Sequence, residues 1–515
     1  MSKDPLLDLI KRRHPRYEEK LAHWDFLEAT YEGGRAWFKE NIFRFMKEGK
    51  EEYSDRVDRA YRFNHTKQVV ELVDKYLFKM DIARKVDDAP EAVRKFWKDA
   101  TLSGQDMDEL SKRISTATSK FGRVYVVVDS SATAETAPVT KADEKKAPAR
   151  IYAYIVPPQD MLDMSYDDQG VLNWCLVKEN HRDDKDPLTS SGKFVPRYRL
   201  WTRTDWKLFE ERKEKGKTKV VQIGSGAVAV GRVPVVEADH SFCEDRFAAP
   251  GLIDDVAYLD RANANYLSNL DAIIQDQTFS QLTIPAQALV AGDGEDAAGK
   301  LAELGTKRIF TYDGTGGKGP EFISPDPTQA GMILDAISKI VGEIYHSVGL
   351  QAERTGSNSG GGDGEASGVS KAYDFEKINS LLAAKAAALE LTERRVIALV
   401  AAYAGAEIAD ASQLDDLVTY PIDFDVRGIY DEFEIAARLN LLVAPDEVRR
   451  EQMRAVVRKL FPASGKKLMD ALEAALKAWP PKIDPGLGAT AAPGGKKADP
   501  VKAAATQKTA KELAA

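Results

Sequence analysis

The sequence has 515 residues and a formal net charge of −8, with 43% hydrophobic and 30% charged residues. This length allows several domains, and the balance is that of a folded protein, not a disordered one. The two cysteines, Cys175 and Cys243, exclude a disulfide framework and are typical of a reducing compartment. Because neither a signal peptide nor a membrane-spanning apolar run is found, we expect a soluble chain that is not exported by itself.

The first 250 residues are predicted to form an α+β domain. Residues 1 to about 120 are helical in pattern, with a helix from Asn64 to Asp81. We expect the apolar faces of this part to contain Trp37, Phe38, Ile42, Phe43 and Phe45, and then Val69, Val70, Val73, Leu77 and Met80.

A change to β-branched residues predicts a strand over Phe121–Asp129, followed by an exposed loop over 130–150. The spacing of the later apolar segments indicates an antiparallel meander. Its strands are predicted at Ile151–Val156, Val171–Lys178, Tyr198–Trp201, Trp206–Glu210 and Lys219–Ile223.

The second half is dominated by three long helices. The first is predicted over Leu252–Gln277, about 38 Å long, with an apolar stripe of Leu252, Val256, Leu259, Asn263, Tyr266, Leu270 and Ile273. Residues 286–327 are rich in Gly and Pro and contain one strand-like piece, Arg308–Tyr312. The second helix begins near Thr328, with a stripe of Met332, Ile333, Ala336, Ile337, Ile340, Ile344 and Val348.

A glycine-rich segment separates the second and third helices. Six of the thirteen residues in Gly356–Gly368 are glycine, so we expect a flexible loop. The third helix is predicted over Ser370–Ala404, about 50 Å long. A strand at Leu417–Val426, helices from Tyr430 to Trp479 and a disordered basic tail over 480–515 complete the chain.

Two glycine-containing segments resemble nucleotide-binding motifs without completing them. Gly294–Leu301 has Leu301 where a phosphate-binding loop needs the Ser or Thr that holds Mg²⁺, and Glu295 and Asp296 add negative charge. Val220–Ala229 has no helix after it to meet a pyrophosphate, so a hairpin is the better interpretation.

The remaining candidate for chemistry is His240 with Cys243, Glu244 and Asp245. A structural zinc site needs four ligands, usually as two spaced pairs, and no second pair exists. The sequence therefore predicts no catalytic residues, no metal and no cofactor.

The order of segments in this chain resembles that of tailed-bacteriophage portal proteins, the head-to-tail connectors. The resemblance covers residues 25 to 480. It is carried by Tyr53–Thr66, Val233–Val236, Ala249–Val256, Asn263–Asn269, Leu350–Gly356 and Ser367–Glu376.

The resemblance implies a portal-like α+β fold with named parts. They are an N-terminal wing at 1–250, a first stem helix at 251–277, a clip at 278–327, a second stem helix at 328–349, a tunnel loop at 350–371, a long wing helix with a wing strand at 372–427, a crown at 428–480 and the tail at 481–515.

Portal proteins assemble as dodecameric rings at one capsid vertex, so the resemblance implies a homo-oligomer in the virion, assembled in the host bacterial cytoplasm. The implied partners are the large terminase, head-tail adaptors, the major capsid protein or scaffold, and double-stranded DNA passing without sequence specificity. The acidic net charge fits this role, because it opposes tight binding of phosphates.

Candidate site residues follow from these parts. The tunnel-loop candidates are Arg354, Thr355, Ser357, Asn358 and Lys371, and the docking candidates in the clip are Lys307, Arg308, Tyr312 and Lys318. Arg354 and Lys371 flank the glycine-rich segment, where cations can touch DNA phosphates, although exposed charges at helix ends would look the same. The alternatives are another structural virion protein, a nucleotide hydrolase or a cellular adaptor.

Overall fold

The computed structural model divides the chain into two units, Met1–Phe424 and Asp425–Ala515. The residues that it describes are 5–46, 48–131, 150–214, 217–278, 281–285, 309–312, 319, 321–323, 328–349, 368–405, 417–421, 424, 445–460 and 466–478. No helix within these ranges is long and apolar enough to cross a membrane.

The first part of the larger unit is helical, as predicted. Its helices are α1 (Pro5–Ile10), α2 (Tyr17–Glu32), α3 (Arg35–Asn41), α4 (Lys50–Arg59), α5 (His65–Leu77), α6 (Glu91–Lys98) and α7 (Met107–Phe121). A two-residue strand, β1 (Ala83–Arg84), lies between α5 and α6. Helix α5 begins where the Asn64 side chain accepts a hydrogen bond from the Lys67 amide.

The predicted apolar faces of this part are correct only within the helices. Trp37, Phe38 and Ile42 are buried, and so are the predicted residues of α5 up to Leu77. The prediction is wrong for Phe43 and Phe45, which are 57% and 42% exposed, and for Met80, which is 46% exposed. These three residues follow the ends of α3 and α5, so helical periodicity no longer sets the direction of their side chains.

Two antiparallel sheets follow. Strand β2 (Arg123–Ser130) lies between β3 (Ile151–Val156) and β9 (Val235–Asp239). The second sheet has the sequential order β4 (Met161–Tyr166), β5 (Leu172–Arg182), β6 (Phe194–Thr202), β7 (Asp205–Glu214) and β8 (Lys217–Ala227). This sheet confirms the predicted meander for β5 to β8, but Ile151–Val156, predicted as its first strand, pairs with β2 in the other sheet. The sequence reasoning also missed β4, whose residues Met161–Met164 are all buried and therefore show no alternation.

The long helices are present, with adjusted ends. Helix α8 (Val256–Thr278) begins four residues later than predicted, whereas α9 (Thr328–Ser347) and α10 (Gly368–Tyr403) lie close to their predicted bounds. The predicted apolar stripes are wrong at Tyr266 and Met332, which are 38% and 69% exposed.

Between α8 and α9 lies a small sheet of β11 (Ile309–Tyr312), β10 (Gln281–Pro285) and β12 (Glu321–Ile323), in that order. Strand β10 is parallel to β11 and antiparallel to β12.

The predicted strand at Leu417–Val426 is much shorter. Among the described residues of this range, β13 (Val418–Thr419) is the only strand; it pairs with β1, and Tyr420, Pro421 and Phe424 are outside any strand. The pairing ends there because β1 offers just two residues to pair with.

The smaller unit contains α11 (Asp446–Leu460) and α12 (Lys466–Ala478), which pack together with Val456 and Leu476 buried. Arg454 joins the two helices through an ion pair with Glu473 at 2.8 Å. These helices agree with the predicted helical region. Of the predicted loops at 130–150 and 356–368, residues 132–149 and 356–367 lie outside the described residues, as does the tail from 480.

Candidate functional site

Helices α8 and α9 form an antiparallel pair, and this pair is the candidate functional site. At one end, β10 directly follows α8 and pairs with β12, which precedes α9. At the other end, Asp260 of α8 and Tyr345 of α9 both bond to residues in the first turn of α5. The two helices therefore run in opposite directions, and Asp260 and Tyr345 both lie at the end of the pair that contacts α5.

A buried ion pair attaches α8 to the N-terminal helices. The Asp260 carboxylate accepts hydrogen bonds from Arg62 Nη1 at 3.0 Å and from the amide and hydroxyl of Thr66 at 3.1 and 2.8 Å. Arg62 also donates to the carbonyl of Thr30 and lies over the Trp37 ring at 4.0 Å. Burial lowers the pKa of Arg62, and the nearby Asp260 partly opposes this effect.

A second attachment holds the loop between α3 and α4 against α8. Arg56, whose side chain is 3% exposed, pairs with Glu48 at 2.7 Å and donates to Ser268 Oγ of α8 at 2.9 Å and to the carbonyl of Phe43 at 2.7 Å. The hydrogen bond from Arg56 lowers the pKa of Glu48. Asn265 completes the contact by accepting from the Phe43 amide at 2.9 Å.

Helix α9 is attached at its C-terminal end. The Tyr345 hydroxyl bonds to Gln68 Oε1 at 2.9 Å and lies 3.2 Å from His65 Nδ1, both in α5. On either side of Tyr345 in the sequence, Ile344 and Val348 are buried in the hydrophobic core of the larger unit. Helix α9 is thus fixed at one end, while most of its N-terminal half is exposed or half-buried.

Helix α10 passes through the core of the larger unit and carries a polar cluster that sequence reasoning missed. The Lys385 ammonium, fully buried, donates to the Ser115 carbonyl at 2.8 Å and to Ser119 Oγ at 2.5 Å, and lies 3.1 Å from His240 Nδ1. Burial lowers the pKa of Lys385 to about 8, and burial together with the Lys385 charge lowers that of His240 to about 2. The sequence does contain a signal for this cluster: Lys385 follows Leu382 by three residues and precedes Leu389 by four, which places a lysine on the apolar side of the helix.

This cluster also explains His240. His240 Nδ1 accepts a hydrogen bond from the buried Lys385 ammonium, so this histidine has a role inside the core. No group of three or more metal-ligating side chains occurs among the described residues, and Cys243 is a free cysteine.

The second buried cluster on α10 surrounds Glu393. Its carboxylate accepts from Arg84 at 2.7 Å, from Trp97 Nε1 at 3.0 Å and from the Tyr420 hydroxyl at 2.9 Å. One side chain of α10 therefore joins β1, α6 and the segment after β13.

The glycines that resembled a dinucleotide fingerprint have a packing role. Gly224 and Gly226 lie in β8, which pairs antiparallel with β7 up to Ala227, as the hairpin interpretation predicts. A Cβ atom on Gly226 would lie 2.7 Å from Trp206 Nε1, and one on Gly224 would lie 3.3 Å from the same ring. Glycine is needed here because the Trp206 ring lies flat against the neighbouring strand.

Few of the predicted site residues lie in the described part of the chain. Lys371 is in the first turn of α10, and Tyr312 ends β11, opposite Pro285. Those outside the described residues are Arg354, Thr355, Ser357, Asn358, Lys307, Arg308 and Lys318, together with the incomplete phosphate-binding motif at Gly294–Leu301.

The sequence matches the family of phage portal proteins, SPP1 Gp6-like, over residues 10–430. A search of curated proteins gave no match. A chain from the virion of a native gene transfer agent particle is 11% identical, with 80% of this chain and 96% of that chain covered and a TM-score of 0.37. A chain from the neck of the native particle, computed with C12 symmetry, is also 11% identical, with 73% and 85% covered and a TM-score of 0.37.

The fold is thus a mixed α and β body with a helical pair attached to it, and the protein is a structural component of a virion. It belongs to the phage portal protein family, SPP1 Gp6-like.

Proposed function

We propose that the chain forms a ring of about twelve copies at one capsid vertex and that this ring is the channel for DNA packaging and ejection. Membership of the portal family is the observation that carries this proposal. The net charge of −8 supports it, because an acidic ring lets DNA pass without holding its phosphates. Assembly takes place in the bacterial cytoplasm, before the genome is packaged.

In this proposal α8 and α9 are the stem. Three observations support the assignment: the pair is antiparallel, it is attached to the N-terminal helices by two buried arginines, and it ends in a separate three-stranded sheet. That sheet belongs to the clip, residues 278–327, where Lys307, Arg308, Tyr312 and Lys318 take part in docking the large terminase and later the head-tail adaptor.

The wing consists of residues 1–250 together with 372–427. The passage of α10 through the same core as β2 and α7 supports this grouping. The crown is assigned to 428–480, and the division of the chain after Phe424 supports a boundary there. The tail is 481–515.

The tunnel loop, 350–371, is proposed to surround the DNA. Its glycines allow the backbone to adapt to a helical substrate, and Arg354 and Lys371 at its two ends supply cations for phosphate contacts without base readout. Thr355, Ser357 and Asn358 add polar contacts of the same kind. The major capsid protein or scaffold surrounds the ring at the vertex.

Native mass spectrometry of the purified full-length chain, combined with negative-stain imaging, tests the ring. We expect a closed assembly of about a dozen copies with a central hole. A chain that stays monomeric across a hundredfold range of concentration, and also in the presence of capsid protein and scaffold, would overturn the proposal.

A further inference from the structure

One side of α8 borders aromatic residues that the protein does not fully bury. Tyr258 is 41% exposed, and the ring of Phe26 from α2 lies 4.6 Å from its own. The opposite side contains the fully buried Asp260 and Asn263. Next to Tyr258, in the loop after α3, Phe43 is 57% exposed. We call Phe26, Phe43 and Tyr258 the aromatic face.

Arg261 lies at the centre of this face. Its guanidinium is 4.7 Å from the ring centre of Phe26, 5.1 Å from that of Tyr258 and 5.4 Å from that of Phe43. Within the described ranges no carboxylate lies at ion-pair distance from this guanidinium, and none of the guanidinium N–H groups has a hydrogen-bond acceptor. Arg261 therefore offers unpaired donors in an apolar setting, the combination typical of the centre of a protein interface.

The face is held in place before any partner arrives. The Phe43 amide and carbonyl are both bonded, to Asn265 and to the buried Arg56. The Tyr258 hydroxyl lies 3.0 Å from His23 Nδ1, and its ring lies 4.6 Å from that of Phe26. A preformed surface loses little conformational entropy on binding, so these bonds favour a permanent contact.

The complementary charge is found on α9 of the same chain. Asp335 and Glu343 are exposed, lie eight residues apart on α9, and have no ion-pair partner among the residues that the structure describes. Ile340 and Ile344, which face the core, lie on another side. A second copy of the chain can therefore supply a carboxylate to Arg261, and the helical pair has two different faces, as a head-to-tail ring requires.

Symmetry selects Glu343 over Asp335. Copies in a ring are related by rotation without translation along the axis, so helices running along that axis meet at equal heights. Because Asp260 and Tyr345 contact the same turn of α5, Arg261 and Glu343 lie near the same end of the pair, whereas Asp335 is about 12 Å farther along α9 than Glu343.

We propose that Arg261 of each copy pairs with Glu343 of the neighbouring copy, with the aromatic face packed against α9 of that neighbour. This inference rests on the proposed ring and names the contact that closes it.

A charge exchange tests the pairing. We expect R261E and E343R each to raise the concentration needed for half-assembly by about thirtyfold or more, which corresponds to about 2 kcal/mol per contact. The double variant R261E/E343R should return it to within a few-fold of the wild type. Since all of these side chains are at least partly exposed, the circular dichroism and melting temperature of the unassembled chains should not change.

The matched control reverses the charge of Asp335, which lies farther along α9, in place of the charge of Glu343. R261E/D335R has the same net charge as R261E/E343R, yet it should remain as poorly assembled as R261E alone. Rescue by D335R as complete as by E343R, or rings of R261E as stable as those of the wild type, would overturn the pairing while leaving the ring intact. A wild-type chain that forms no ring would overturn the proposed function itself.

Discussion

Replacing Arg62 with methionine should loosen the attachment of α8 to the N-terminal helices. Arg62 and Asp260 are 4% and 0% exposed, so R62M leaves a carboxylate buried with only the two hydrogen bonds from Thr66. Breaking a buried pair in this way costs about 3–5 kcal/mol. For a cooperative unit of this size, that corresponds to a fall in the melting temperature of about 3–5 °C.

Calorimetry measures the fall, and hydrogen exchange shows where it originates. We expect faster exchange in the first turn of α5, because the Thr66 amide donates to Asp260. The control is K67M, which removes a cation from an exposed pair with Glu71 on the same helix and should cost about 0.5 kcal/mol or less.

The double variant R62M/D260N also removes the charge of the buried carboxylate. An amide keeps an acceptor for Thr66 but is uncharged, so we expect it to be more stable than R62M by about 2 kcal/mol. Equal melting temperatures for R62M and K67M, or a double variant less stable than R62M, would show that the buried charge is not what holds α8 in place.

The remaining predictions concern a backbone contact, a buried lysine and the tunnel loop. Gly122 has a φ of 78°, and a Cβ atom there would lie 1.8 Å from the Ala249 carbonyl oxygen, so G122A should reduce the soluble yield or cost several kcal/mol of stability. The control is G104A, at a φ of 82° with open space around it, which should cost about 1–2 kcal/mol in denaturant unfolding. Because the folded pKa of Lys385, about 8, is below its ordinary 10.5, the unfolded chain binds the extra proton between these values. The stability of the wild type relative to K385M should therefore rise with pH in this window, by up to about 3 kcal/mol, and a flat difference from pH 7.5 to 10 would contradict this. Deleting Gly356–Gly364 should leave rings intact in native mass spectrometry but reduce packaged DNA, and a normal yield of infectious phage would refute that role for the loop.

The spacing of apolar residues was sufficient to predict those helices and strands that bury one regularly spaced apolar face. The helix over His65–Leu77, the long helix through Leu382 and Leu389, and the antiparallel meander were all predictable for this reason. The prediction failed at Phe43 and Phe45, which follow the end of α3, and at β4, which is buried on both sides.

By itself the sequence determined most of the long elements, their order and the family, because local spacing and segment order are properties of the chain alone. Only the tertiary structure decided which polar groups meet. Arg62 and Asp260 are 198 residues apart and Lys385 and His240 are 145 apart, and no local pattern marks either pair. The exposure of Tyr266 was likewise decided by packing, because helical periodicity alone does not show which sides of α8 its neighbouring helices cover. Burial of a polar group requires a partner at one place in space, and that place is set by how distant segments pack.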